Sequence, residues 1–232
     1  MNICVFETPR QLAEAAAGAA AEILSRAIEQ RERASLVVAT GKSQIEFLDV
    51  LVRTPVDWSK IAVYQLDEYL GLPRRHPASL AEFIRTHLLS RVEPGEVHLL
   101  EDGVPKLPII DAAFTGIGEN GHLAFNDPPA DFQIEDPYIC VWLDQRCRRQ
   151  QVGEGWFASM DDVPLRALSM SIRQIMKSRE ILCIAPERRK AEAVSNCFTG
   201  EVSPMHPASI LQSHPHATVF LDADSASFLA AS

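Results

Sequence analysis

The chain predicts an α/β fold: an open, mostly parallel sheet with helices on both faces, Rossmann-like in layout. Three observations carry this. Short apolar runs alternate with helix-length segments along the 232 residues, the pattern of strand and crossover helix. The runs are nearly continuous in apolar character, as strands buried on both faces are. Three of them end in glycine, hydroxyl, carboxylate or histidine residues, and a parallel sheet gathers such ends along one edge.

The elements follow in order. Thr8-Pro9-Arg10-Gln11 supplies a threonine cap, a proline at the first helical position and a glutamine three after the cap; the alanine-rich run to about Arg33 then favours helix. Ser35 to Ala39 reads as a buried strand, and Lys42 to Arg53 as a helix with Ile45, Leu48, Leu51 and Val52 on one face. Ile61 to Leu66 is the second strand. Ser79-Leu80-Ala81-Glu82 is a capping box opening a helix to about Val92, and Glu96 to Leu100 suits a short strand. Pro108 to Thr115 and Glu180 to Ala185 read as strands, and Glu187 to Phe198 as a helix. Ala217 to Leu221 is the last strand, followed by a helix to the C-terminus. With no internal repeat or linker, residues 1–232 read as one domain. Residues 128–163 are polar, proline-containing and weakly periodic, which suits a lid or a plain surface connection. Residues 101–107 are too few for a crossover helix before the strand that ends at Thr115.

Composition narrows the function. The chain is 47% hydrophobic and 23% charged, with a formal charge of -9. No apolar run reaches membrane-spanning length, so no membrane partner is expected. Arg146-Cys147-Arg148-Arg149 is the densest basic stretch, too short for a nucleic-acid footprint. The N-terminus lacks a basic segment followed by a long apolar one, and the five cysteines have no CxxC spacing. Reduced thiols in a cytoplasmic protein account for both. His206, His214 and His216 have the spacing of no common metal site.

Three strand ends carry the chemistry. Thr40-Gly41-Lys42-Ser43 leads into a helix; hydroxyl, glycine, lysine and helix N-terminus together suit a phosphate, although a capped helix with an incidental lysine reads equally well. Asp67-Glu68-Tyr69 follows the second strand. Neighbouring side chains point to opposite sides, so at most one carboxylate easily faces a site; the alternative is a solvated acidic turn. The densest motif is Gly116-Ile117-Gly118-Glu119-Asn120-Gly121-His122-Leu123-Ala124-Phe125-Asn126-Asp127-Pro128. Asn120 and His122 can face one way in an extended loop, and Asp127 is close enough to hold the imidazole, a general acid/base arrangement. Gly116-x-Gly118-x-x-Gly121 also fits a dinucleotide fingerprint. That fingerprint needs a helix starting at the loop, and Asp127-Pro128-Pro129 interrupts six residues after Gly121.

These three segments, with looser matches at Val163 to Ser169 and Lys190 to Leu211, resemble the glucosamine-6-phosphate deaminases (also called isomerases), in the wider group that includes 6-phosphogluconolactonases. The lactonases share Gly-His in the central loop but not the Ala-Phe-Asn-acidic-Pro continuation. The resemblance implies a single enzyme domain that converts glucosamine 6-phosphate and water to fructose 6-phosphate and ammonia, without metal or organic cofactor. Its partner is a small-molecule sugar phosphate, and the protein is a monomer or small homo-oligomer. Carried over by position, Asp67 moves a proton between C2 and C1, and His122 opens the sugar ring with Asn120 and Asp127 in support. Thr40, Gly41, Lys42, Ser43 and Lys190 surround the phosphate, with Glu68, Gly118 and Gly121 completing the substrate-binding set. A C2 base beside a histidine argues against a mere sugar-phosphate sensor, because binding needs no base. A lactone hydrolase using His122 to activate water is the remaining alternative.

The chain departs from the family pattern at named positions. Asp127 stands where a glutamate is usual, and Lys42 where the loop often has a second glycine. The phosphate-binding arginine expected before an aromatic pair falls on Gly155, in Gly155-Trp156-Phe157. Arg146, Arg148 and Arg149 lie six to nine residues upstream. One of them, Arg148 or Arg149 foremost, is expected to fold over the phosphate as bidentate donor; the alternative is that all three are solvated.

Overall fold

In the computed structural model, which describes residues 1–229, β1 (Asn2–Phe6) is followed by α1 (Pro9–Arg31), β2 (Ala34–Val38), α2 (Lys42–Leu51) and β3 (Ile61–Gln65). Next come β4 (Asp67–Tyr69), α3 (Leu80–Ile84), β5 (Glu96–His98) and β6 (Ala112–Thr115). The chain continues through β7 (Tyr138–Trp142), α4 (Gln145–Gly153), β8 (Arg166–Met170), α5 (Ile172–Ile175), β9 (Glu180–Ile184), α6 (Ala191–Phe198) and β10 (Ala217–Asp222). Seven strands form a parallel sheet in the order β1-β10-β9-β6-β2-β3-β5, and β4-β8-β7 form a small antiparallel sheet.

The open, mostly parallel α/β sheet is the predicted one, and its two-sided burial shows in the strand registers. Leu36, Val38, Ala112, Phe114, Leu182 and Ile184 pack toward one face with α1 and α2. Val37, Ala113, Ile181 and Cys183 pack toward the other with α5 and α6. Successive residues alternate faces, as a period of two requires. The alanines of α1 (Ala13, Ala16, Ala17, Ala20, Ala27) let that helix lie close against the sheet. Each fully buried leucine or phenylalanine contributes about 1.5–3 kcal/mol relative to exposure.

The helix starts behave as the sequence predicts. Thr8 Oγ accepts from the Gln11 amide and Ser79 Oγ from the Glu82 amide. Several elements differ. The N-terminal residues form β1, an edge strand that the sequence pattern did not mark because only one side is covered; Ile3 and Val5 stay exposed. The helix after Ser79 changes to a π-helical turn over Arg85–Leu89. Residues 103–110 have no regular structure, so the crossover into β6 lacks a helix, as the short span implied. The expected C-terminal helix is replaced by turns from Ala223 to Phe228; residues 230–232 lie outside the described residues. The weakly periodic stretch 128–163 holds β7 and α4.

At Leu66 the chain changes sheets. Its amide still donates to Val38 O of the parallel sheet, and its carbonyl accepts from Met170 N of the small one. Glu68 and Asp67 therefore diverge. Glu68, expected among the substrate-binding residues, is turned toward the N-terminus of α3. Its carboxylate accepts from the amides of Tyr69, Leu80 and Ala81, from Ser79 Oγ and from Gln65 Nε2, at 2.8–3.2 Å. Removing it orphans five buried or part-buried donors. Glu68→Ala is expected to cost about 3 kcal/mol or more, read as a fall in Tm of roughly 6–12 °C for a chain of this size. A melt within 2 °C or so of wild type would show that the carboxylate does not hold α3.

Candidate active site

The carboxyl ends of β9, β6, β2 and β3 are neighbours in the sheet. The chain leaves β2 toward β3 on one side, while β6 lies on the other, so a switch point falls between β2 and β6, where open α/β sheets bind ligands. A cleft of about 600 Å³ opens there. Ala39, Thr40, Gly41 and Ser43 reach it from the β2 end, Leu66, Asp67 and Tyr69 from the β3 end, and Gly116, Ile117, Gly118, His122, Ala124 and Phe125 from the β6 end. Lys190 enters from the segment before α6, and Gln150, Gln151, Glu154 and Trp156 from α4 and the turn after it. A larger groove at the opposite ends of the strands is lined by Arg31, Arg33, Lys60, Lys106 and Arg179 among others, and no histidine is among its lining residues.

Asp67 is buried, and its Oδ1 has no hydrogen-bond partner in the protein. Burial first, and the charge of Glu68 second, push its pKa up to about 8. Tyr69 beside it also has a buried hydroxyl without a partner. Unpaired buried polar groups are costly and rare, so two of them facing one cleft mark where a ligand's polar groups belong.

The β6 loop holds the opposite kind of carboxylate. No helix begins between residues 116 and 137, which removes the dinucleotide reading. Ala124 has φ 52, a strained value for a residue with a Cβ. The His122 ring lies across Gly118 so closely that a Cβ there would sit 2.2 Å from the imidazole; glycine is required for the close approach. His122 Nδ1 is 3.2 Å from Asp127 Oδ1, off the line of an ideal hydrogen bond. Asn120 Nδ2 donates to Asp127 at 2.8 Å and to Asp144 at 2.9 Å, and Asn120 Oδ1 accepts from the His122 amide. The Asp144 amide donates to Asp127 Oδ2 at 2.8 Å. Burial alone would raise the Asp127 pKa, but His122, Asn120 and the Asp144 amide outweigh it and the net shift is downward. Asp127 is therefore a fixed anion beside an imidazole.

The anion-binding expectations divide. Thr40, Gly41 and Ser43 line the cleft, and no side chain caps the first turn of α2, whose N-cap Gly41 takes φ 101. A helix N-terminus left open in this way suits an anion. Lys190 is buried at the same cleft, and desolvation pushes its pKa down to about 8. Lys42 is exposed and does not line the cleft, contrary to expectation. Gly121 lies behind the loop, with its carbonyl accepting from Ala208 N. The three arginines of the 128–163 segment are engaged elsewhere. Arg148 donates to the carbonyls of Met160 and Val163, Arg149 to Gln145, and Arg146 to Glu119 O. None of the three lines the cleft.

Sequence reading missed Asp144, Gln150 and Glu154. Asp144 carried a signal, since an Asp before a polar run is an N-cap candidate, and its Oδ1 does accept from Cys147 N at 2.6 Å. Among the described residues, one group has the composition of a metal site: His122, Asp127 and Cys147, with ligand atoms within 4.8 Å of one another. Asp127 there already accepts from Asn120 and Asp144, which suits a hydrogen-bonded relay.

The family model for glucosamine-6-phosphate isomerases/6-phosphogluconolactonase matches residues 7–107. Glucosamine-6-phosphate deaminases of Bacillus thuringiensis (strain Al Hakam) and Bacillus cereus (strain B4264) are each 33% identical over 240 residues, covering 98% of this chain and 88% of theirs. The solved structure of a monomeric glucosamine-6-phosphate deaminase superposes with a TM-score of 0.87 at 27% identity, covering 98% of this chain and 100% of that one. A 6-phosphogluconolactonase from Trypanosoma brucei shares the fold, with a TM-score of 0.79 at 16% identity over 99% of this chain and 98% of its own. One-third identity along nearly the whole chain is decisive: it belongs to the enzyme family of glucosamine-6-phosphate isomerases and 6-phosphogluconolactonases.

Proposed function

We propose that this enzyme catalyses the isomerising deamination of an amino-sugar phosphate, with glucosamine 6-phosphate as the leading substrate, giving fructose 6-phosphate and ammonia. The observation that carries the reading is the pairing in one cleft of an unpartnered buried carboxylate, Asp67, with the Asp127-supported imidazole of His122. The named deaminase relatives support it. A lactone hydrolase needs one base to activate water and has no use for a second buried carboxylate.

Each group takes a step. His122 accepts the proton of the C1 hydroxyl and delivers one to the ring oxygen as the C1–O5 bond breaks, with Asp127 stabilising the imidazolium. Ionised Asp67 removes the proton from C2 while the C1 oxygen takes one from the substrate's own ammonium group, giving an enolamine, and the carboxyl group then returns its proton to C1. C2 is then an iminium; water adds to it and ammonia leaves with the proton as ammonium. Thr40, Gly41, Ser43, Gly118 and Lys190 hold the sugar and its distal group. The 128–163 segment covers the cleft through α4.

Asp67→Asn is expected to lower kcat about 10²–10⁴-fold, measured as ammonia release from glucosamine 6-phosphate, with substrate binding within a few-fold of wild type. A variant that keeps more than about a tenth of wild-type kcat places the base elsewhere.

The pH profile is a second check. Activity needs Asp67 deprotonated, and its pKa of about 8 makes kcat/KM fall as pH drops below that value. It also needs Lys190 protonated, and its pKa of about 8 makes kcat/KM fall as pH rises above it. A bell with its maximum near 8 is expected, since kcat/KM reports the free enzyme. A profile flat down to pH 5 or so would contradict the raised carboxyl pKa.

A further inference from the structure

On one side of the cleft, α4 and the turn after it present four polar side chains: Gln150, Gln151, Glu154 and Trp156. Three of them are engaged with one another and with the neighbouring walls. Gln150 Oε1 accepts from the Glu119 amide at 2.9 Å, and its Nε2 donates to Glu154 Oε1 at 2.8 Å. Glu154 Oε1 also pairs with Arg189 Nη1 at 2.7 Å, and its Oε2 accepts from Trp156 Nε1 at 3.0 Å. This network ties the end of α4 to the β6 loop and to the segment before α6.

Gln151 is left over. It is 8% exposed and lines the cleft. Among the described residues its side-chain amide has no hydrogen-bond partner, yet neither amide atom is sealed from solvent. A side chain buried so deeply keeps that access only through the cleft it lines. Cys147, Gln150 and Gln151 form the buried stripe of α4, where an apolar residue is the ordinary occupant. Position 151 thus carries a buried amide that the fold itself does not use.

The helix also fixes where along the cleft that amide falls. At its start, Asp144 accepts from Asn120 at 2.9 Å and its amide donates to Asp127 at 2.8 Å, so this end belongs to the His122 relay. At its other end, Glu154 is held by Arg189, the residue before Lys190. Gln151 lies about two turns past Asp144 and about one turn before Glu154. In the deaminase reading, C1 and C2 lie at His122 and Asp67 and the phosphate lies at Lys190. The hydroxyls between them are those on C3 and C4.

We propose that Gln151 is a specificity-determining residue: its side-chain amide bonds the C3 and C4 hydroxyls of the sugar and so selects the gluco over the galacto configuration at C4. This rests on the deaminase reading and goes beyond it in the configuration accepted. A primary amide has a carbonyl acceptor and N–H donors, so it donates to one of two vicinal hydroxyls and accepts from the other. Inversion at C4 breaks one of the two bonds and leaves a buried amide atom unmatched, and that loss is what discriminates.

Steady-state ammonia release from glucosamine 6-phosphate and galactosamine 6-phosphate tests this in wild type and Gln151→Met, which keeps the length of the side chain and removes the amide. Wild type is expected to favour the gluco epimer by about tenfold or more in kcat/KM. Gln151→Met is expected to raise KM for glucosamine 6-phosphate about tenfold with kcat within about threefold, the mark of binding lost equally from ground and transition states. The galacto epimer is expected to stay within about threefold, so the preference collapses. The variant is expected to melt at or above the wild-type temperature, because the amide holds nothing in the protein. A wild-type preference below about tenfold overturns the proposal. So does a variant that keeps the wild-type preference, one that loses both epimers alike, or one that melts well below wild type. Wild type releasing ammonia from neither sugar defeats the deaminase reading and the role of Gln151 with it. Ammonia release with the preference unmoved by Gln151→Met defeats only the role of Gln151.

Discussion

The site depends on one change of direction, at Leu66. A strand that continued in the parallel sheet would carry its next residues toward solvent. Here the Leu66 amide closes the parallel ladder and its carbonyl opens the antiparallel one with Met170. The small sheet then roofs the strand end, so Asp67 is buried where an ordinary strand terminus would be wet. The same turn sends Glu68 to the start of α3, where backbone amides and a serine hydroxyl hold it. Two adjacent carboxylates thus acquire different roles: one is fully bonded and structural, the other unbonded and available.

A second pair is separated by surroundings rather than by direction. Asp67 has burial and a like charge acting on it, so its proton is held to about pH 8. Asp127 is also buried, but an imidazole, an amide side chain and a backbone N–H bring its pKa below the usual carboxylate value. Asp67 lines the cleft and Asp127 lies against His122, so carboxyl groups driven in opposite directions suit different work, one as a proton carrier and one as a fixed counter-charge. Gly118 allows the arrangement, because only the absence of a Cβ lets His122 lie across the loop.

Much of this was legible in the sequence, and the gaps have physical causes. The strands of the parallel sheet other than the edge strands β1 and β5 are buried on both faces, and their apolar runs mark them directly, although Pro108–Thr115 overshoots the observed strand, which begins at Ala112. β1, β7 and β8 were missed because partial burial and antiparallel edges dilute the pattern. A C-terminal helix was expected after the last strand, and turns take its place from Ala223 to Phe228. At the site, Asn120, His122 and Asp127 could be read as one cluster from their spacing after a strand end, whereas the role expected of Asp67 came from the family resemblance. Glu68 and Lys42 were misplaced because a sequence shows that a side chain is charged, not which way the backbone turns it. Glu154 left no signal at all. It looks like a solvated residue at a helix end, and only the docking of α4 over the strand ends makes it part of the cleft.

The central claim is that Asp67 carries a proton from C2 to C1. Glucosamine 6-phosphate bearing deuterium at C2, turned over in ordinary water, tests it most directly by mass spectrometry of the ketose product and by the rate relative to unlabelled substrate. The account predicts a primary isotope effect on kcat/KM together with partial retention of deuterium at C1, because one carboxyl group both takes and returns the hydrogen. Turnover without an isotope effect and with no deuterium at C1 would contradict it.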